Sequence, residues 1–128
     1  MSKATADASA QIGLPAYERV STTVVGAFVI AIKNGLVILA GATPTTATLA
    51  LPVAGPQASG GDDGKVLDIC SGTAQAHTVT TPAAGINGGA TTLTFQAAIG
   101  NCQRLIAFNG TWLAAYSTND TTPNVVVS

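Results

Sequence analysis

The sequence predicts an all-β domain, a compact antiparallel sandwich or barrel of about nine short strands with an extended N-terminal arm. Three observations predict it. Runs rich in Val, Ile, Thr and Leu recur between turn residues at roughly 8–12-residue spacing, the pattern of sandwiches and barrels. Within the runs apolar side chains alternate, as in Leu67 and Ile69 or Leu93 and Phe95, so one strand face points to a core. Asn34-Gly35 and Asn109-Gly110 supply the strongest short hairpin signal. At 128 residues the chain is one domain, long enough to bury a core and too short for two comfortable ones.

In chain order, residues 1–20 form the arm, 21–117 the β domain and 118–128 a C-terminal tail. Met1 to Pro15 is rich in Ala, Ser and Thr. Ala favours a short helix over Ala4–Gln11, but isolated short helices are marginal, which favours an extended arm lying on something. Ser21 to Lys33 is β-branched and apolar on both parities, predicting a strand buried on both faces. A helix is the competing reading of such a run. Asn34-Gly35 then turns the chain into a return strand, Leu36 to Ala40. Thr45 to Pro52 is a further strand, with Leu49 and Leu51 on one face. Val53 to Gly64 is dense in Gly, Pro, Asp and Ser and reads as a surface loop.

Lys65 to Ser71 alternates, with Leu67 and Ile69 inward. Ala76 to Thr81 pairs His77 with Val79 on one face. Pro82 to Ala90 is a loop with Ile86 turned inwards, and Thr91, Leu93 and Phe95 line the next strand. Cys102–Phe108 and Thr111–Ser117 make the last hairpin, setting Trp112 and Tyr116 in one row. Val125 to Val127 is a β-prone tail that either stays free or adds a strand to a neighbour.

Composition restricts function more than fold. Only 9% of residues are charged, against an ordinary fraction of about a quarter, and the net charge is −1. A surface so poor in Lys and Glu suits burial against copies of itself or against a larger body. Lys3, Arg19, Lys33, Lys65 and Arg104 are scattered and make no basic stripe for nucleic acid. Residues Val24–Ala42 approach the length of a membrane span, but Lys33-Asn34-Gly35 splits them with a charge and a turn. The N-terminus lacks the apolar h-region of a secretory signal, so Cys70 and Cys102 read by default as reduced, buried thiols. A bridge between them is open, since register is not legible in sequence.

The residues that can carry chemistry are few. His77 is the sole histidine; paired with Cys70 or Cys102 it would activate a thiolate, but no orienting third group or oxyanion hole accompanies it. One His and two Cys need a carboxylate to complete a zinc site, at no known spacing. Asp62, Asp63 and Asp68 lack the alternate ligands and terminal Glu of a calcium loop and read as a solvated turn. Gly60 to Gly64 lacks the Lys-Ser/Thr ending of a phosphate loop. Trp112 reads as a core aromatic rather than a ligand platform. These readings predict a non-enzyme with no metal and no cofactor.

Four elements occur in order: Asp63-Gly64-Lys65-Val66-Leu67-Asp68-Ile69, Ala76-His77-Thr78-Val79 within Thr73–Thr80, Thr92-Leu93-Thr94-Phe95, and Asn109-Gly110-Thr111-Trp112. Together they resemble a β module of tailed-bacteriophage virion proteins, seen in capsid-decoration (cement, head-fibre) and fibre-type proteins. The resemblance covers the second half of the chain and extends loosely back through Asn34–Gly41. It implies a structural protein without catalytic residues, a homotrimer on the outer capsid surface, made in the host cytoplasm. Its partners would be the major capsid protein and itself, with no nucleic acid and no membrane. On this reading the arm (Ala10, Ile12, Leu14, Pro15, Tyr17) contacts the capsid or a neighbouring subunit, and Val24 and Phe28 lie near a three-fold interface. The shortness of the chain favours decoration over fibre. The alternative is a tail or fibre adhesin binding host glycan in a cleft around Trp112 and Tyr116.

Overall fold

The computed structural model describes residues 20–117 and 125–128. Ten strands follow one another: β1 (Val20–Val24), β2 (Ala27–Ile30), β3 (Gly35–Leu39), β4 (Thr46–Leu49), β5 (Val66–Ser71), β6 (Thr78–Thr80), β7 (Thr92–Phe95), β8 (Cys102–Phe108), β9 (Thr111–Ser117) and β10 (Val125–Val127). They form two five-stranded sheets, A in the order β1-β3-β5-β8-β9 and B in the order β10-β7-β6-β4-β2. The all-β class is therefore observed.

The first six strands alternate between the sheets, and their in-sheet pairs β1–β3, β3–β5, β2–β4 and β4–β6 are all parallel. Parallel neighbours need a crossover. Here the crossover is a strand of the opposite sheet, so residues 20–80 coil as a two-sided ribbon. The last four strands pair antiparallel, which makes both sheets mixed rather than wholly antiparallel.

Two expectations fall with this topology. Ser21–Lys33 is not one strand; it bends at Val25-Gly26, where Gly26 takes a φ of 64°, and passes from sheet A to sheet B. Asn34-Gly35 consequently joins strands of different sheets and makes no hairpin, and β3 lies parallel to β1 instead of returning antiparallel. The dipeptide at 109–110 does make one: Asn109 and Gly110 sit at φ 51° and 81°, the left-handed pair of a tight two-residue turn. Asn87 and Gly88 (φ 52° and 72°) make a further turn inside the 82–90 loop, between the mutually hydrogen-bonded Ile86 and Ala90.

The core lies between the sheets and follows the alternation. Val37, Leu39, Leu67, Ile69, Leu105 and Trp112 from sheet A meet Ile30, Leu49, Val79, Leu93 and Phe95 from sheet B, all fully buried. Burying each such aliphatic side chain contributes about 2 kcal/mol. Ile86 enters this core from its loop, as expected. Burial of Ser21–Lys33 on both faces is not observed: Ile30 is buried, while Val29 is 63% exposed on the uncovered outer face of sheet B and Val25, at the bend before β2, is 59% exposed. Val125–Val127 closes onto β7 of its own sheet, with Val125 opposite Phe95, so the tail adds its strand within the chain.

Candidate functional site

The residues that could have formed a reactive centre are each engaged in holding the fold. His77 is completely buried beside Val79. The Thr45 backbone N–H donates to its Nδ1 (2.9 Å), so the imidazole proton resides on Nε2 and is directed at Thr73 Oγ1 (3.0 Å). That hydroxyl in turn donates to the Gly41 carbonyl (2.7 Å). Burial holds the imidazole below its ordinary pKa, against the opposing hydrogen bond with Thr73.

Cys70 and Cys102 face each other across β5 and β8 with Cα atoms 4.1 Å apart, and they are bonded as a disulfide. This overturns the expectation of two reduced, buried thiols. The alternation that turns Leu67 and Ile69 inward turns Cys70 to the outer face of sheet A, where both cysteines are half-buried. With both sulfurs in one bond, no thiolate remains for His77 to activate.

The acidic turn is not solvated as expected. Asp62 is 5% exposed; its Oδ2 accepts the Val53 N–H (2.7 Å) and its Oδ1 meets Lys65 Nζ (2.7 Å), with Lys33 Nζ 3.7 Å away. Burial pushes this carboxyl up, but the hydrogen bonds from Lys65 and Val53 and the two ammonium charges outweigh it, leaving the pKa below its ordinary value. Asp63 Oδ1 accepts the Asn109 N–H (2.8 Å), and the Gly64 N–H donates to the Ala107 carbonyl, tying the loop to the last hairpin. Asp68 and Arg104 form a two-point ion pair (2.8 and 3.0 Å) on the outer face of sheet A. Trp112 is completely buried and donates its indole N–H to the Ala50 carbonyl (3.0 Å), the core role its sequence context predicts. Among the described residues no three His, Cys, Asp or Glu side chains gather where they could hold a metal ion, and no helix is long and apolar enough to cross a membrane.

The feature left without a structural role is a surface. Among the described residues the charged side chains are Lys33, Asp62, Asp63, Lys65, Asp68 and Arg104, and none lies on a strand of sheet B. Strand registers align the outward residues of that sheet in two rows. One runs Ala27, Thr46, Thr78, Thr94, Val126. The other runs Val29, Thr48, Thr80, Thr92 and ends at Ser128, which exchanges backbone hydrogen bonds with Thr92.

Six of these ten side chains are threonine, and each of the others is Ala, Val or Ser. Neighbours stand about 4.8 Å apart across the strands and roughly 6.7 Å apart along them. β-Branched side chains are stiff about χ1, so ordering them against a partner costs little entropy. The hydroxyls of Thr46, Thr78, Thr80 and Thr94 make no hydrogen bond with the protein among the described residues. The face offers methyl groups and hydroxyls in a fixed lattice, with no titratable side chain among the described residues on its strands.

Three tripeptides carry this surface: Thr46-Ala47-Thr48, Thr78-Val79-Thr80 and Thr92-Leu93-Thr94. The recurrence was visible as Thr-rich strands; their alignment was not, since it depends on register. Of the residues expected to make contacts, Ala10, Ile12, Leu14, Pro15 and Tyr17 lie outside the described residues, as does the side chain of Tyr116. Val24 is fully buried in the core and offers no contact, whereas Phe28 is 42% exposed. Comparison with family models, with curated proteins and with solved structures finds no match.

Proposed function

We propose that this chain is a structural protein that docks on the outer surface of a bacteriophage capsid and stabilises the shell. The observation that carries the proposal is the uncharged two-row threonine face of sheet B. A face of rigid, short, neutral side chains makes weak contacts individually. Repeated over a lattice of identical subunits, such contacts add to firm attachment. The resemblance of the four ordered sequence elements to those of decoration proteins supports the same reading. Three of them supply packing and turn parts of this fold: Asp63 caps the Asn109 N–H, His77 ties two turns, and Trp112 fills the core.

An adhesin that stacks sugar on Trp112 has less support, because the ring is enclosed and its N–H is used. The test is cosedimentation with expanded shells of bacteriophage major capsid protein. Saturable binding, and shells that resist heat better when coated, are expected. Absence of binding, or selective retention on a glycan array instead, would overturn the proposal. Deleting residues 1–10 is expected to weaken shell binding if the arm contributes, and unchanged binding removes the arm from the account.

A further inference from the structure

The threonine face is not the only surface the core leaves unfinished. β1 and β2 are the end strands of sheets A and B, and they are consecutive, joined through Val25-Gly26. Among the described residues both edges are free, and they lie on the same side of the sandwich. The Val24 carbonyl accepts from Ala40, and the Gly26 and Ile30 carbonyls accept from Thr46 and Ala50, in the ladders to β3 and β4. The alternate residues, Ser21 and Thr23 on β1 and Ala27 and Val29 on β2, turn their backbone N–H and C=O groups to the open side.

Phe28 marks the gap between the two edges. It has the inward parity, opposite the buried Ala47, yet it is 42% exposed. Soluble proteins protect such edges with Lys, Pro or a bulge. Residues 20–32 contain no charged residue and no proline, and β1 and β2 pair without a register shift.

We propose that a second copy of this chain docks on this open side. A lone strand from another partner would satisfy one edge and leave the other bare. A second copy related by a two-fold axis perpendicular to the sheets satisfies both, running β1 against its counterpart and β2 against its counterpart, antiparallel, with the two Phe28 rings covering each other. Such an interface is self-complementary, as two-fold contacts must be, and it needs no opposite charges, of which residues 20–32 have none. It would also extend the two threonine rows across both copies.

The test is the mass of the full chain in solution, by light scattering after size exclusion at micromolar concentration, without shells. Wild type is expected as a dimer. Phe28→Lys, whose stem can lie along the same cleft while its ammonium reaches water, and Thr23→Lys on the other edge are each expected to raise the dissociation constant at least a hundredfold. Their circular dichroism should match wild type. A trimer, even one that the same two substitutions dissociate, would overturn the two-fold pairing of β1 with β1 and β2 with β2. A wild-type monomer, or an oligomer indifferent to folded versions of both variants, would overturn the proposal. Because no shell is present, this outcome is independent of capsid binding.

Discussion

His77 joins two turns through a relay in which every partner is specified: Thr45 N–H to Nδ1, Nε2–H to Thr73, Thr73 to the Gly41 carbonyl. Protonation would put a hydrogen on Nδ1 and oppose the Thr45 N–H. Since the folded state holds the group below its ordinary 6.5, the unfolded chain takes up the proton first. His77 therefore contributes stability fully above about pH 6.5, and the contribution is lost as pH falls from there through the lowered folded value. Thermal unfolding between pH 7 and pH 5 should show the loss, and His77→Gln should flatten it. His77→Ala leaves the Thr45 N–H without its buried acceptor and a cavity beside Val79, and should cost about 2–4 kcal/mol. Asp62, whose carboxyl is lowered from 3.8, acts in a separate window: its contribution holds above that value and is lost below it. The acid limb of a stability profile should thus persist in His77→Gln. At this scale the sequence was informative, because alternation within a strand decides burial: Leu67 with Ile69, His77 with Val79, and Leu93 with Phe95 all turn inward as their spacing predicts. Asp62 was not legible, since Lys33 and Val53, two of the groups that meet its carboxylate, are brought to it only by the loop closing.

Among the elements, β5 and β8 are joined twice outside their ladder, by the Asp68–Arg104 pair and by the Cys70–Cys102 bridge. The bridge closes a loop that contains β6 and β7, both strands of the opposite sheet, so it fixes the relation of the sheets as well as one strand pair. A separation of 32 residues corresponds to about 4 kcal/mol of loop-closure entropy at most. Urea unfolding with and without reductant should show a lower midpoint on reduction. Thiol labelling of unreduced protein in denaturant should find no free cysteine; two labels there would contradict the bridge. The two Asn-Gly dipeptides show where element-level reading stops. Asn109-Gly110 makes its hairpin because β8 and β9 belong to one sheet, whereas Asn34-Gly35 follows a strand of sheet B and precedes one of sheet A. Local sequence specifies a change of direction, and long-range packing decides whether the partner strand is the next one in the chain.

At the scale of the whole molecule, the charges among the described residues leave one sheet bare. Sheet A carries the ion pair and the disulfide outward, the loop beside it carries the Lys33–Asp62–Lys65 cluster, and the strands of sheet B carry no charge. The low charged fraction was plain in the composition, but the absence of charged residues from the strands of sheet B followed from the alternation of β1 to β6 between sheets, which strand spacing does not encode. The account predicts that the neutral face is the docking face. The most direct measurement is cosedimentation of Thr48→Lys/Thr80→Lys with expanded shells, beside wild type and with folding checked by circular dichroism. Both substitutions place an ammonium in the middle of one threonine row, on exposed positions where a long polar side chain is tolerated by the fold. Wild type should bind saturably and the double variant at least tenfold more weakly. Equal binding by the two proteins would contradict the assignment of this face.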